Sequence, residues 1–135
     1  MIPSRPARLA LTLLFAASLL ASARSALAGD APKMRHRVLI VTGEDYPGHK
    51  WRETAPVLQA ELAKDPRLAV EVLTDLTLLA SVRLGEYDAV VLHFKNYDPK
   101  VPGRKAYGNL AKYVEGGGGL VLLHFACGAF EEFKA

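Results

Sequence analysis

Imidazoles at the ends of apolar runs are the groups in this chain best suited to chemistry. His93 closes Ala89-Val90-Val91-Leu92-His93-Phe94, and His124 closes Leu120-Val121-Leu122-Leu123-His124-Phe125. His49 lies in the loop after Val38-Leu39-Ile40-Val41. An imidazole titrating near neutrality can exchange a proton with a hydroxyl or with a carbon beside a carbonyl. Neutral imidazoles on adjacent strand ends can also converge on one divalent, Zn-like ion, with Glu44 or Asp45 as an oxygen ligand. No His-x-x-His or His-x-x-x-His spacing supports a metal site on its own. A lone strand-end histidine usually caps a loop and does nothing further. Three on one edge put a ligand role on an equal footing with that plain reading.

Other polar groups belong to the same loops. Glu44 and Asp45 follow the first strand, and each alone also reads as a solvated loop residue or a helix cap. Lys95 and Asn96 follow His93 and could hold ligand hydroxyls, although a solvated turn is the blander reading. Trp51 and Tyr46 offer rings that could stack on a ligand ring, and Trp51 suits core packing equally well. Cys127 is the single cysteine, so no internal disulfide can form, and a buried, inert thiol is expected.

The elements that must position these groups follow from hydropathy patterning. Arg37 to Thr42 reads as a strand apolar on both faces, as the centre of a parallel sheet requires. Trp51 to Lys64 reads as a helix, with Val57, Leu58 and Leu62 as its apolar stripe and Pro56 near its start. Val70 and Val72 mark a second strand ending at Leu73. Asp75 to Val82 reads as a helical turn or two, and Ala89 to Phe94 as the third strand. Arg104 to Glu115 reads as a helix with Tyr107, Leu110, Ala111 and Val114 inward, stopped by Gly116 to Gly119. Leu120 to Phe125 is the fourth strand. Alternation of this kind implies an α/β, flavodoxin-like, three-layer fold with a parallel sheet in the order 2-1-3-4. The switch point then lies between strands one and three, flanked by His49 and His93, with His124 one strand further out.

The four glycines precede a strand, whereas a phosphate loop follows one and opens a helix, so no nucleotide is expected. Arg5 and Arg8, the apolar run Leu9 to Leu20 and the small residues Ala26-Leu27-Ala28 have the layout of a signal peptide over residues 1–28. That run is too short for a membrane span of about 20 residues. Export to a periplasmic or secreted location, with no stable span after cleavage, is therefore expected. Removing Arg5, Arg8 and Arg24 lowers Lys+Arg from 17 to 14, equal to Asp+Glu. The basic balance of the whole chain is thus no argument for nucleic-acid binding. Residues 29–36 then read as a linker and 37–135 as one domain. Little chain follows the fourth strand, whose open edge would leave apolar backbone uncovered. The domain is therefore expected to be truncated, incomplete at its carboxyl end.

Taken in order, several segments resemble the ThuA-like (trehalose utilization) family within the class I glutamine amidotransferase-like superfamily. They are Val38-Leu39-Ile40-Val41-Thr42-Gly43, Gly48-His49-Lys50-Trp51, Glu53-Thr54-Ala55-Pro56, Tyr87 to Leu92, and Tyr113-Val114-Glu115-Gly116-Gly117-Gly118-Gly119 through His124. The resemblance implies a role in sugar utilisation, with a carbohydrate or keto-sugar derivative as ligand, and it fixes no reaction. Related amidotransferases carry a nucleophilic Cys at a Gly-x-Cys-x-Gly elbow. Here Ala126 takes that position, and Cys127 misses it by one residue. The chemistry stays open between an enzyme using His49, His124 and His93, with Glu44, Asp45, Trp51, Lys95 and Asn96 as ligand contacts, and a non-catalytic carbohydrate-binding or interaction module or inactive fragment. A thiol hydrolase using Cys127 is a third possibility.

Overall fold

The computed structural model describes residues 35–45, 48–98 and 100–133. The expected signal peptide and Tyr46 lie outside them. Four apolar runs form β1 (His36–Val41), β2 (Leu68–Leu73), β3 (Ala89–Leu92) and β4 (Gly119–Leu122). They pair, all parallel, in the order β2-β1-β3-β4. Helix α1 (Trp51–Leu62) follows β1, and α2 (Gly103–Glu115) follows β3. This is the flavodoxin-like α/β arrangement expected from the sequence. Among the described residues no helix is long and apolar enough to cross a membrane.

Strand alternation divides the core between the two faces of the sheet. Leu39, Val41, Val90 and Leu92 pack with Ala106 and Leu110 of α2. Val38, Ile40 and Val91 pack on the other face with Leu58 and Leu62 of α1. Ile40 and Val90 are fully buried; burying such a side chain is worth about 1.5–3 kcal/mol. Two inward assignments fail. Val57 and Val114 are exposed, because each sits just outside the stripe that its helix turns to the sheet. On α2 the inward positions are Ala106, Leu110 and Tyr113.

Both strands that end near histidines are shorter than expected. The His93 amide still donates to the Val41 carbonyl at 2.8 Å. Past that point β1 turns away, and among the described residues no further backbone hydrogen bond joins it to β3. Gly43 makes that turn at φ 142°, and an added Cβ would run into the Thr74 carbonyl. In β4 the Leu123 amide donates to the Leu92 carbonyl at 3.0 Å. His124 then adopts a left-handed φ of 54° and opens a 3₁₀ turn, His124–Gly128, instead of closing a strand.

The segment after β2 forms the 3₁₀ turn Leu76–Ala80, whose first amides are capped by Asp75. The glycine run ends α2 at Glu115. Gly118 lies flat against the Tyr113 ring, where a Cβ could not fit. β4 is an edge strand exposed along its length, with Val121 at 48% and Leu122 at 50%.

Candidate functional site

The site is built at the carboxyl end of β1 and β3, on the α1 face of the sheet. Thr42 and His93 each lie one residue past their strand. They keep the facing of Val38 and Ile40, and of Val91, respectively. Thr42 is fully buried and His93 is 4% exposed. Oγ1 of Thr42 lies 3.1 Å from Nδ1 of His93, and its hydroxyl donates to the His93 carbonyl at 3.0 Å.

His49 arrives from the loop that enters α1. Its Nε2 lies 3.0 Å from Nε2 of His93, and the rings meet edge-on with centroids 4.5 Å apart. Thr54, in the first turns of α1, places Oγ1 3.4 Å from Nε2 of each histidine. Its hydroxyl also donates to the Lys50 carbonyl. Phe125 closes the other side, its ring 4.2 Å from that of His49.

Burial penalises an imidazolium, so both histidines are held below the ordinary value of 6.5. For His93 burial is the main cause and neighbouring His49 the second. For His49 burial again dominates, Asp45 pulls upward, and His124 pushes downward. Two neutral imidazoles joined by one N–H···N hydrogen bond are the consistent state at neutral pH.

The remaining expected residues divide sharply. His124 shares the edge and stands beside Phe125, at 5.5 Å between ring centroids, yet it is exposed and outside the imidazole pair. Among the described residues no three His, Cys, Asp or Glu side chains are grouped to hold a metal ion. Of the three histidines, His49 and His93 are in direct contact and His124 stands apart from them. Asp45 caps α1 from the loop: it accepts from the Trp51 amide at 2.9 Å and pairs with Arg52 at 2.8 Å. The N-cap residue, Lys50, makes no side-chain cap. Arg52 in turn covers one face of the Trp51 ring, 4.4 Å from its centroid. A sugar could stack only on the other.

Glu44 ties two loops together, accepting from the Tyr97 amide at 2.8 Å. Asn96 is not in a solvated turn. It is buried and clamps the segment after the His124–Gly128 turn, donating to Glu132 at 2.9 Å and accepting from the Phe130 amide at 2.7 Å. Lys95 reaches Glu131 at 3.9 Å, with its stem over Gly128. Cys127 is exposed, contrary to the buried thiol expected, because it lies in the 3₁₀ turn beyond the last strand. Thr42, Thr54 and Phe125 were not among the residues expected. Threonines at a strand end and in a helix carry no sequence signal of their own, and Phe125 reads as core.

An open parallel sheet with polar side chains gathered at its carboxyl edge defines a doubly wound α/β domain, a class whose ligands bind at the switch point. The model of the ThuA, trehalose utilisation, family matches residues 37–135. This chain belongs to that family, whose role is in sugar utilisation. No curated protein matches the chain closely enough to count as a relative.

Proposed function

We propose that this chain is an exported domain that binds, and acts on, a carbohydrate at the carboxyl edge between β1 and β3. Family membership supports a sugar as the ligand class. The observation that carries the location is the contact between His49 and His93, two neutral imidazoles at 3.0 Å beside the switch point. Neutral imidazole is the form able to accept a proton from a sugar hydroxyl or from a carbon beside a keto group. His124 stands exposed on the same edge and is free to meet the outer part of a ligand. Lys95 and the part of Trp51 that Arg52 leaves uncovered supply further contact.

Thermal unfolding of the chain across a panel of aldoses, ketoses and disaccharides tests this reading. Stabilisation by one class of sugar, lost in His49→Ala and reduced in His124→Ala, is expected. Equal shifts in all three proteins would remove these histidines from the site. Absence of any shift across the panel would sink the carbohydrate reading.

A non-catalytic binding module is the second reading. Asp45 and Asn96 favour it, because their hydrogen bonds are spent on the scaffold. A sugar that binds and is recovered unchanged after prolonged incubation would select it.

A further inference from the structure

We infer that Thr42 is the positioning residue of this site: it dictates which nitrogen of His93, and through it which nitrogen of His49, carries the proton. The inference rests on the proposed role of the pair only for its use; the proton placement follows from the hydrogen bonds alone.

Three groups meet at Thr42. The His93 carbonyl can only accept, whereas an imidazole nitrogen can donate or accept. Thr42 has one hydroxyl proton, and the carbonyl lies 3.0 Å away. Giving that proton to Nδ1 would leave a carbonyl acceptor unserved in a pocket where Thr42 is fully buried, and an unserved buried acceptor is unfavourable. The arrangement that satisfies all three sends the hydroxyl proton to the carbonyl and has Nδ1–H of His93 donate to Oγ1 across 3.1 Å.

The rest is forced. A neutral His93 protonated at Nδ1 has a bare Nε2. That nitrogen faces Nε2 of His49 at 3.0 Å, so His49 must be the donor and carry its proton on Nε2. Thr54 does not disturb this order, because its own hydroxyl proton goes to the Lys50 carbonyl at 3.2 Å. The two rings thus hold opposite tautomers in series, and the bare nitrogen left over is Nδ1 of His49, which is itself buried. Thr42 does not touch that nitrogen, yet it decides that it is the bare one.

Long-range ¹⁵N–¹H correlation spectra of the ring nitrogens test this at neutral pH, with signals assigned through His49→Gln. In the unmodified chain His93 should show a protonated Nδ1 and a bare Nε2, and His49 the reverse. Thr42→Ser keeps the hydroxyl and should keep both patterns. Thr42→Val removes the acceptor for Nδ1–H, and the two rings should lose or exchange their tautomers. A bare Nδ1 on His93 in the unmodified chain overturns the inference, whether or not Thr42→Val folds. Unchanged tautomers in a folded Thr42→Val protein overturn it as well. These outcomes are independent of sugar binding: opposite tautomers in a chain that binds no sugar would leave the inference standing and remove only the proposed function.

Discussion

The chain writes nearly the same phrase twice, Leu92-His93-Phe94 after β3 and Leu123-His124-Phe125 after β4, and folds the two copies into opposite environments. After β3 the histidine is buried in a hydrogen-bonded network and the phenylalanine is fully inside the core. After β4 the histidine is exposed, and the phenylalanine turns to the neighbouring site. Sheet register is the cause. Leu92 pairs with Leu122, so the position across from His93 falls to Leu123. His124 lies one residue later. A shift of one residue reverses the face of a side chain, and Leu123 packs in the α1-side core. Identical local chemistry acquired different roles because the two phrases entered the sheet one step apart.

The contrast can be broken from either side. His93→Ala should cost the most, about 2–4 kcal/mol in urea unfolding, because it empties a buried site and strands Thr42. A loss below about 1 kcal/mol would mean that the network does not hold the edge together. Phe125→Ala should cost about 1–2 kcal/mol and expose His49, since it removes the ring packed against that imidazole.

Acid should weaken the β3 copy next. His49 and His93 titrate below 6.5 in the folded chain, so at mildly acid pH the unfolded state binds more protons than the folded one. Their contribution to stability is complete above about pH 6.5 and is lost as pH falls through that value toward the folded pKa, at no more than about 1.4 kcal/mol per pH unit for each histidine. His93→Gln should flatten that slope, and a slope equal to that of the unmodified chain would show that burial of His93 does not set it. Asp45→Ala should cost about 1 kcal/mol through loss of the α1 cap. The smallest effect has the opposite sign. His124→Gly should be neutral or stabilise by up to about 1 kcal/mol, because glycine accepts the left-handed φ without strain; a marked loss would show that the His124 side chain holds the turn.

Much of the scaffold was legible in the sequence. Apolar blocks such as Val38 to Val41 and Ala89 to Leu92, separated by glycine, proline and charged turns, can hardly do other than alternate strand and helix. Right-handed crossovers then leave few sheet orders. The edge on which the histidines gather follows from that topology. Which of them touch does not. The approach of His49 to His93 depends on a loop fold and on Asp45 capping α1 from a distance. The exclusion of His124 depends on register, which shows in no local pattern. Its left-handed φ is equally hidden, since neither glycine nor asparagine marks the position. Asn96 looked like a loop ligand because its partners, Glu132 and the Phe130 amide, lie far along the chain.

The exposed strand β4 bears on how the protein must be handled. Among the described residues it pairs only with β3. Within its four residues, Gly119-Leu120-Val121-Leu122, there is no charge, proline or bulge to turn away a newcomer. Such an edge is a template for any extended apolar chain, another copy included. Losses on storage should climb steeply with protein concentration, and a lone lysine at Val121 would act as a gatekeeper.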